Sequence, residues 1–162
     1  MPSDMSSNLA HEPVADRKLT EFLTYRVVRL HHALNAQGMD VLNDVAGVTL
    51  SQWRVIAMVG SGTATTSRDI ARVSVIDPAI ISRTVHGLEE AGLLTTSRPA
   101  DDRRVLQMAL TGRGREIYAR TLPHMQARQN ALLGALSAAE QEMIFGIFDR
   151  LEEAAESRDF LK

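Results

Sequence analysis

The 162-residue sequence predicts a mainly α fold with one small two-stranded β-hairpin, that is, an α+β domain. Two patterns and the composition lead to this prediction. Apolar residues recur every three or four positions over most of the chain, as on the buried face of a helix. This pattern is interrupted once, after Gly92, by two short β-rich segments around a charged turn. With 44% hydrophobic and 23% charged residues, the chain has the composition of one ordinary domain that buries a core.

The composition excludes several classes of protein. The chain has no cysteine, which excludes disulfides, thiolate metal sites and cysteine redox switches. It has no run of about 18 apolar residues, so we expect no transmembrane helix and no membrane partner. Residues 1–16 contain no Lys or Arg and no apolar stretch, so we do not expect a signal peptide. These features predict a cytoplasmic protein, with residues 1–15 as a flexible tail.

The first predicted helix covers residues 16–37 and is apolar on two sides. One side carries large apolar residues at three- and four-residue spacing, from Leu19 to Leu34, and a second side carries Tyr25 and Val28. A helix of this kind is typically buried between two layers or between two subunits.

The next two helices are predicted from their capping residues. Thr49, with Gln52 three residues later, forms a capping box that opens a helix ending before Gly60. Thr66 is expected to cap a short helix that ends near Arg72.

The fourth predicted helix runs from Pro78 to Ala91. Asp77 can cap its N-terminus, proline is suited to its first position, and Gly92 ends it. The residues expected to face the core are Ile81, Val85 and Leu88.

Two β-rich segments, residues 93–98 and 105–111, flank a charged turn and predict the hairpin. A long helix follows over about 112–135, in which we expect Pro123 to cause a kink or a break. A capping box at Ser137 opens the last helix.

Within residues 45–111 the order of helix, turn, helix and hairpin is that of a winged helix-turn-helix. In this arrangement the second helix enters the major groove of DNA, led by its N-terminal residues. Arg83 can donate two hydrogen bonds to a guanine edge, and Ser82 and Thr84 can reach phosphates or bases. The predicted groove-facing residues of this helix are Ala79, Ile80, Ser82, Arg83, Thr84 and His86.

The distribution of charge agrees with a nucleic-acid partner. Of the 18 cationic residues 16 are Arg, and residues 66–115 carry eight Arg against six acids. Guanidinium groups suit phosphates and guanine edges. Residues 134–162 instead carry seven acids against three bases. A general preference for Arg over Lys explains the first count, but it does not explain why the acids gather at the far end.

The sequence resembles the MarR (multiple antibiotic resistance regulator) family of bacterial transcription factors over about residues 18–156. The resemblance rests on the capped helix described above and on the wing motif of the family, Asp-x-Arg followed after five residues by Leu-Thr. The residues that match this motif without a gap are Asp102, Arg104, Leu110 and Thr111.

The resemblance implies a homodimer that binds double-stranded DNA. Residues 16–37 and 112–158 would supply the dimerisation helices, and residues 45–111 would form a winged helix-turn-helix in each subunit. Asp102 would orient Arg104, which would enter the minor groove. The expected DNA site is pseudo-palindromic, because the protein pair is symmetric.

Five further residues are candidate DNA contacts with an alternative role. Arg103 lies beside Arg104, but alternate residues of a hairpin point to opposite sides. Thr66 and Ser67 either meet a phosphate at a helix N-terminus or simply cap that helix. Arg68 and Arg98 either contact phosphates or remain solvated charges.

Many members of the family bind a small, often aromatic ligand between the dimerisation layer and the DNA-binding lobe. The residues that could line such a pocket here are Tyr25, Arg29, His32, Trp53 and Ile56. Arg29 and His32 could pair an anionic group, and Trp53 could stack on a ring. As alternatives, Trp53 is a core anchor, and the three residues of the first helix belong to a dimer interface.

No metal site, cofactor or enzyme active site is predicted. Adjacent residues of a helix, such as His31 and His32, point about 100° apart and cannot chelate one metal together. The chain has no glycine-rich phosphate loop and no nucleophile motif.

These patterns predict a ligand-responsive transcriptional repressor that an aromatic or phenolic effector releases from DNA. The alternative is a DNA-binding regulator without a small-molecule effector, acting constitutively or through a protein partner.

Overall fold

The structure is a computed structural model, and it describes residues 17–74, 76–98 and 106–159. The predicted tail, residues 1–15, lies outside these residues. Within the described residues, a 3₁₀ turn precedes six helices and two strands, which form the predicted mainly α fold with one antiparallel hairpin. The turn is Leu19–Glu21, and the elements that follow are α1 (Leu23–Val45), α2 (Leu50–Gly60), α3 (Ser67–Val73), α4 (Pro78–Glu90), β1 (Leu94–Ser97), β2 (Gln107–Leu110), α5 (Gly112–Leu133) and α6 (Ala138–Glu156).

Helix α1 is shifted along the chain relative to the prediction. It begins at Leu23, after the 3₁₀ turn, and not at residue 16, and it ends at Val45 and not at residue 37. Gly38 does not break it, since this glycine is buried in a packed contact where an added Cβ would lie 3.5 Å from Leu50 Cδ1. The helix instead ends two residues before Gly47, whose φ of 65° is in the left-handed region and turns the chain away from the helix. The N–H groups of Ala46 and Gly47 both donate to the carbonyl oxygen of Leu42, at 2.9 Å each.

The capping residues at the starts of the later helices are where the sequence predicts them. The side chains of Thr49, Thr66, Asp77 and Ser137 each accept a hydrogen bond from a backbone N–H in the first turn of their helix. At α6 the carboxylate of Glu140 accepts bonds from both the backbone N–H and the hydroxyl of Ser137, at 2.7 Å each. These bonds to the charged form lower the pKa of Glu140 below its ordinary value.

Of the kink or break that we predicted at Pro123, the break is wrong, because α5 continues to Leu133, and the kink stays a prediction. An interior proline removes one backbone hydrogen bond, but α5 is held on both sides of it, by the buried Ile117 and Thr121 before it and by Arg128 after it. One turn further on, Arg128 donates to Gln37 Oε1 at 2.9 Å and to the Leu34 carbonyl oxygen at 2.7 Å, which ties α5 to the middle of α1.

A second polar contact ties α1 to α2. Arg54 Nη2 donates to Asn35 Oδ1 at 3.4 Å, and the Asn35 amide in turn contacts His31 Nε2 at 2.8 Å. The middle of α1 is therefore bonded to both α2 and α5.

The core lies between α1, α2, α4, the hairpin and the first half of α5. Ile81, Val85 and Leu88 are buried as predicted. Trp53 of α2 is also buried, and its ring stacks on Tyr118 of α5 with a centroid distance of 6.1 Å and an interplanar angle of 20°. The fully buried aliphatic side chains are Leu42, Val55, Ile56, Ile70, Leu88 and Leu94.

In the described part of the chain, no single helix is long and apolar enough to cross a membrane. Helices α5 and α6 pass that test only when they are taken together, by length and composition, and they are bent by 103° at the break between them.

The start of α5 packs so closely on the hairpin that only glycine is accommodated at residue 114. An added Cβ there would collide with the backbone carbonyl oxygen of Leu93, whereas an added Cβ at Gly112 would meet nothing within 4 Å. We expect Gly114→Ala to lower the free energy of unfolding by about 1–3 kcal/mol or more, because backbone must move to relieve the overlap.

Gly112→Ala is the matched control, since it adds the same methyl group two residues away in the same helix turn. We expect it to be neutral or slightly stabilising, because alanine favours the helix. Urea denaturation followed by circular dichroism measures both changes. Equal unfolding free energies for the two variants would contradict this account of the junction.

Candidate nucleic-acid interface

Helix α3 is preceded by its capping residue Thr66, whose hydroxyl is already hydrogen-bonded within the protein. Thr66 Oγ1 accepts from the Asp69 N–H at 3.1 Å and lies 2.7 Å from the Asp69 carboxylate, to which it donates. Asp69 also pairs with Arg72 at 3.3 Å. Thr66 and Ser67 are half-buried and Arg68 is exposed, so Arg68 is the most accessible of the three candidates at this helix start.

Helix α4 is anchored on one face and accessible on the others. Its first turn is fixed by Asp77, whose Oδ1 accepts from the Ala79 N–H at 2.7 Å. The residues predicted to face DNA lie away from the buried stripe. Ala79, Ile80, Ser82, Arg83 and His86 are exposed, and Thr84 is half-buried.

His86 has a partner on its own helix. Its Nε2 lies 3.4 Å from Glu90 Oε1, and both side chains are largely exposed. An exposed pair of this kind contributes little to stability.

The base of the hairpin is bonded to α4. The strands pair from Leu94 opposite Leu110 to Ser97 opposite Gln107. Thr96 Oγ1 donates to Glu89 Oε1 at 2.6 Å, which links the first strand to the last turn of α4.

The second strand is bonded to the start of α3. The Met108 N–H donates to the Thr65 carbonyl oxygen at 2.8 Å, and Thr66 forms a β-bridge with Gln107. The start of α3, helix α4 and the base of the hairpin are thus held as one unit. These links could not be predicted from the sequence, since isolated Thr and Glu residues carry no spacing signal.

The tip of the hairpin, with Asp102, Arg103 and Arg104, lies outside the described residues. Arg98 is described and exposed, immediately after β1.

A cleft of about 420 Å³ lies between the start of α3, helix α4 and the start of the second strand. Its polar lining includes Ser67, Ser82, His86 and Glu89. Three of the candidate DNA residues, Ser67, Ser82 and His86, therefore border one shared depression, whereas Arg83 does not line it.

The five residues predicted to line an effector pocket do not share one cavity within a single chain. Trp53 and Ile56 belong to the hydrophobic core. Arg29 lines a groove of about 470 Å³ between α1 and α6, whereas Tyr25 borders a separate depression on α1. His32 is exposed on α1.

A large apolar surface on α1 and α6 is uncovered in the single chain. It includes Leu19, which is 74% exposed, and Phe145, which is 57% exposed. The remaining exposed apolar residues of the 3₁₀ turn, α1 and α6 that contribute to it are Leu23, Tyr25, Val27, Val28, Leu30, Met143, Ile147 and Phe148.

Among the residues that the structure describes, no group of three His, Asp or Glu side chains could hold a metal ion.

A family model described as MarR family matches residues 46–105, which run from the end of α1 into the hairpin. The chain is 27% identical over 135 residues to the HTH-type transcriptional regulator FarR of Neisseria gonorrhoeae, covering 83% of this chain and 90% of that protein.

Solved structures share the fold. The S. aureus MepR–DNA complex superposes with a TM-score of 0.77 at 18% identity, over 83% of this chain and 99% of that one. Bordetella bronchiseptica BpsR, whose DNA binding is regulated by 6-hydroxynicotinic acid, superposes with a TM-score of 0.72 at 20% identity, over 87% of this chain and 98% of that one.

The matched segment contains the capped α4 and the first two residues of the wing motif, Asp102 and Arg104, whereas Leu110 and Thr111 lie beyond it. The relative FarR is, by its name, an HTH-type transcriptional regulator. The chain is therefore similar to the MarR family over residues 46–105, and to an HTH-type transcriptional regulator over 83% of its length.

Proposed function

We propose that this regulator is a repressor that binds a pseudo-palindromic operator as a homodimer and is released by a small aromatic effector. Two observations support DNA binding. The start of α3, helix α4 and the base of the hairpin are hydrogen-bonded to one another, and Ser82 and Arg83 are exposed on α4, the helix that can enter the major groove. A protein with this role acts in the cytoplasm, where bacterial DNA is accessible.

In the proposed complex, α4 lies in the major groove and Arg83 donates two hydrogen bonds to a guanine edge. Arg104, oriented by Asp102, enters the adjacent minor groove. Arg68 and Arg98 contact phosphates beside these sites, and the remaining candidates on α3 and α4 position the helix.

The proposed dimer buries the apolar surface of α1 and α6. Covering a large aliphatic or aromatic side chain contributes about 1.5–3 kcal/mol, so leaving ten such residues in water would be costly. Charge complementarity favours a second copy of this chain, because Arg26 and Arg29 line the groove on α1 while α6 carries an excess of acids. The acidic α6 would then lie away from the phosphates.

The effector is proposed to bind where the partner's helices complete the surface of α1. The regulation of BpsR by 6-hydroxynicotinic acid supports an aromatic acid as the ligand class. In this site Arg29 and His32 would pair the carboxylate, and Tyr25 would contact the ring.

The alternative is a regulator without a small-molecule effector, acting constitutively or through a protein partner. The burial of Trp53 and Ile56 in the core supports it, because two of the five candidate ligand residues are already packed against protein.

We expect Arg83→Ala and Arg104→Ala to weaken DNA binding in different ways. Loss of a bidentate guanine contact should weaken binding to the operator about 5- to 150-fold and relax base preference at one position. Loss of Arg104 should weaken binding to all duplexes and reduce the salt dependence by about one counterion. Fluorescence polarisation with labelled promoter DNA over a range of salt concentrations measures both effects.

The control is Arg158→Ala, which removes an exposed cation beyond the end of α6. It should bind like the wild type. Wild-type affinity in both Arg83→Ala and Arg104→Ala would contradict the proposed placement of α4 and the wing.

We expect Phe148→Glu to dissociate the dimer, because a charge would be buried in an apolar interface without a partner. Light scattering coupled to size-exclusion chromatography measures the mass in solution. Val73→Glu is the control, since Val73 is an exposed apolar residue on α3, outside the α1–α6 surface. A monomeric wild type, or a dimeric Phe148→Glu variant, would contradict the proposed interface.

We expect at least one compound from a panel of phenols and aromatic acids, with 6-hydroxynicotinic acid included, to release the DNA. The same compound should raise the melting temperature of the free protein, because it binds only the folded state. Arg29→Ala should abolish both effects. A panel in which no compound releases DNA or raises the melting temperature would favour the alternative without an effector.

A further inference from the structure

Two exposed large apolar residues, Val73 of α3 and Ile80 of α4, lie outside the α1–α6 surface. Ile80 is 40% exposed and lies in the first turn of α4. A single exposed isoleucine is common and needs no explanation by itself. The position of Ile80 does need an explanation, because this residue lies in the helix turn that is proposed to enter the major groove. It is next to the exposed Ala79 and one helical turn from Arg83.

The local backbone fixes where this side chain lies. The Ile80 N–H donates to the Asp77 carbonyl oxygen at 2.9 Å, and the Asp77 side chain holds the neighbouring Ala79 N–H. The first turn of α4 is therefore already hydrogen-bonded in the free protein. Isoleucine is β-branched and has a restricted χ1 angle, so little rotamer freedom remains to be lost on contact.

The spacing relates Ile80 to the predicted guanine contact. Residues three apart on a helix are neighbours, with Cβ atoms about 5–6 Å apart. Bases along one strand are about 3.4 Å apart. The groups met by Ile80 and by Arg83 are thus separated by one or two base steps.

The chemistry of the groove identifies the group that Ile80 contacts. The major-groove edges of the bases present nitrogen and oxygen donors and acceptors, and the only methyl group among them is the 5-methyl group of thymine, which protrudes further into the groove than the C5–H of cytosine. Isoleucine cannot hydrogen-bond, so covering any other edge would leave a polar group without water or a partner, which is costly.

We propose that Ile80 reads a thymine through its 5-methyl group, one or two base pairs from the guanine read by Arg83, in each half of the operator. This inference rests on the proposed DNA-binding function and adds a specificity-determining residue to it. The recognised element is a short thymine–guanine pattern in which one position is read by apolar contact alone.

Deoxyuridine tests this directly, because it differs from thymidine only by the absent methyl group. Duplexes bound by the wild-type protein are first selected from a random 30-base-pair library. Each thymine of a selected duplex is then replaced in turn by deoxyuridine, and affinity is measured by fluorescence polarisation. We expect replacement at one position in each half-site to weaken binding about fourfold, the effect of about one buried methyl group.

The same series is measured with three variants whose folding is checked by thermal melting. Ile80→Ala should bind the thymine and uracil duplexes equally, while still requiring the guanine. Ile80→Val, which keeps two methyl groups, should retain part of the sensitivity to the thymine methyl group. Val73→Ala, which shortens another exposed apolar residue on α3, should retain all of it.

The outcomes separate this inference from the proposed function. Failure of the wild type to select any duplex would overturn the proposed function and this inference with it. Selection of duplexes in which no uracil replacement weakens binding would overturn this inference alone. This inference alone would also be overturned if the Ile80→Ala variant lost as much affinity on replacement of thymine by uracil as the wild type does.

Discussion

The structure depends on one junction, where the end of α4, the base of the hairpin and the start of α5 meet. Gly92 turns the chain with a φ of 67°, and the Leu93 N–H closes back on the Leu88 carbonyl oxygen at 2.9 Å. Thr111 then bonds three ways: its hydroxyl donates to the Gly92 carbonyl oxygen and accepts from Gly114, and its N–H donates to Leu93. The hairpin is therefore held at its base by the same bonds that start α5.

Two kinds of apolar surface in this chain look alike in the sequence and differ in the structure. The stripe of Ile81, Val85 and Leu88 is covered by its own chain, whereas the stripes around Leu23 and Phe148 are not. Periodicity reports only that a helix face is apolar, and it does not report which molecule covers it. The exposure of the apolar residues of α1 and α6 in the single chain distinguishes these faces from the buried face of α4.

The parts of the fold that follow from local chemistry could be predicted, and the parts that follow from packing could not. Side-chain caps such as Thr49 and Ser137 act within four residues, so their spacing is visible in the sequence. The predicted end of the first helix at residue 37 was wrong, since Gly38 lies in a packed contact with α2 and α5 inside the helix. The predicted break at Pro123 was also wrong, since contacts on both sides of the proline hold α5 to other elements. In the candidate site, the accessible face of α4 could be predicted from the spacing of its apolar residues. The hydrogen bond from Thr96 to Glu89 could not, because it joins two separate elements and no sequence pattern indicates it.

The bonds from Arg54 and Arg128 to the middle of α1 affect how two DNA-binding lobes can be spaced. Helix α1 has 23 residues and is therefore about 34 Å long. Because its centre is fixed to α2 and α5, α1 cannot tilt against its own lobe without breaking those bonds. In the proposed dimer, each lobe and its α1 would move as a rigid body. The separation of the two reading helices would then be set by the angle at which the two subunits cross, so a ligand at the subunit boundary could change it without altering either lobe.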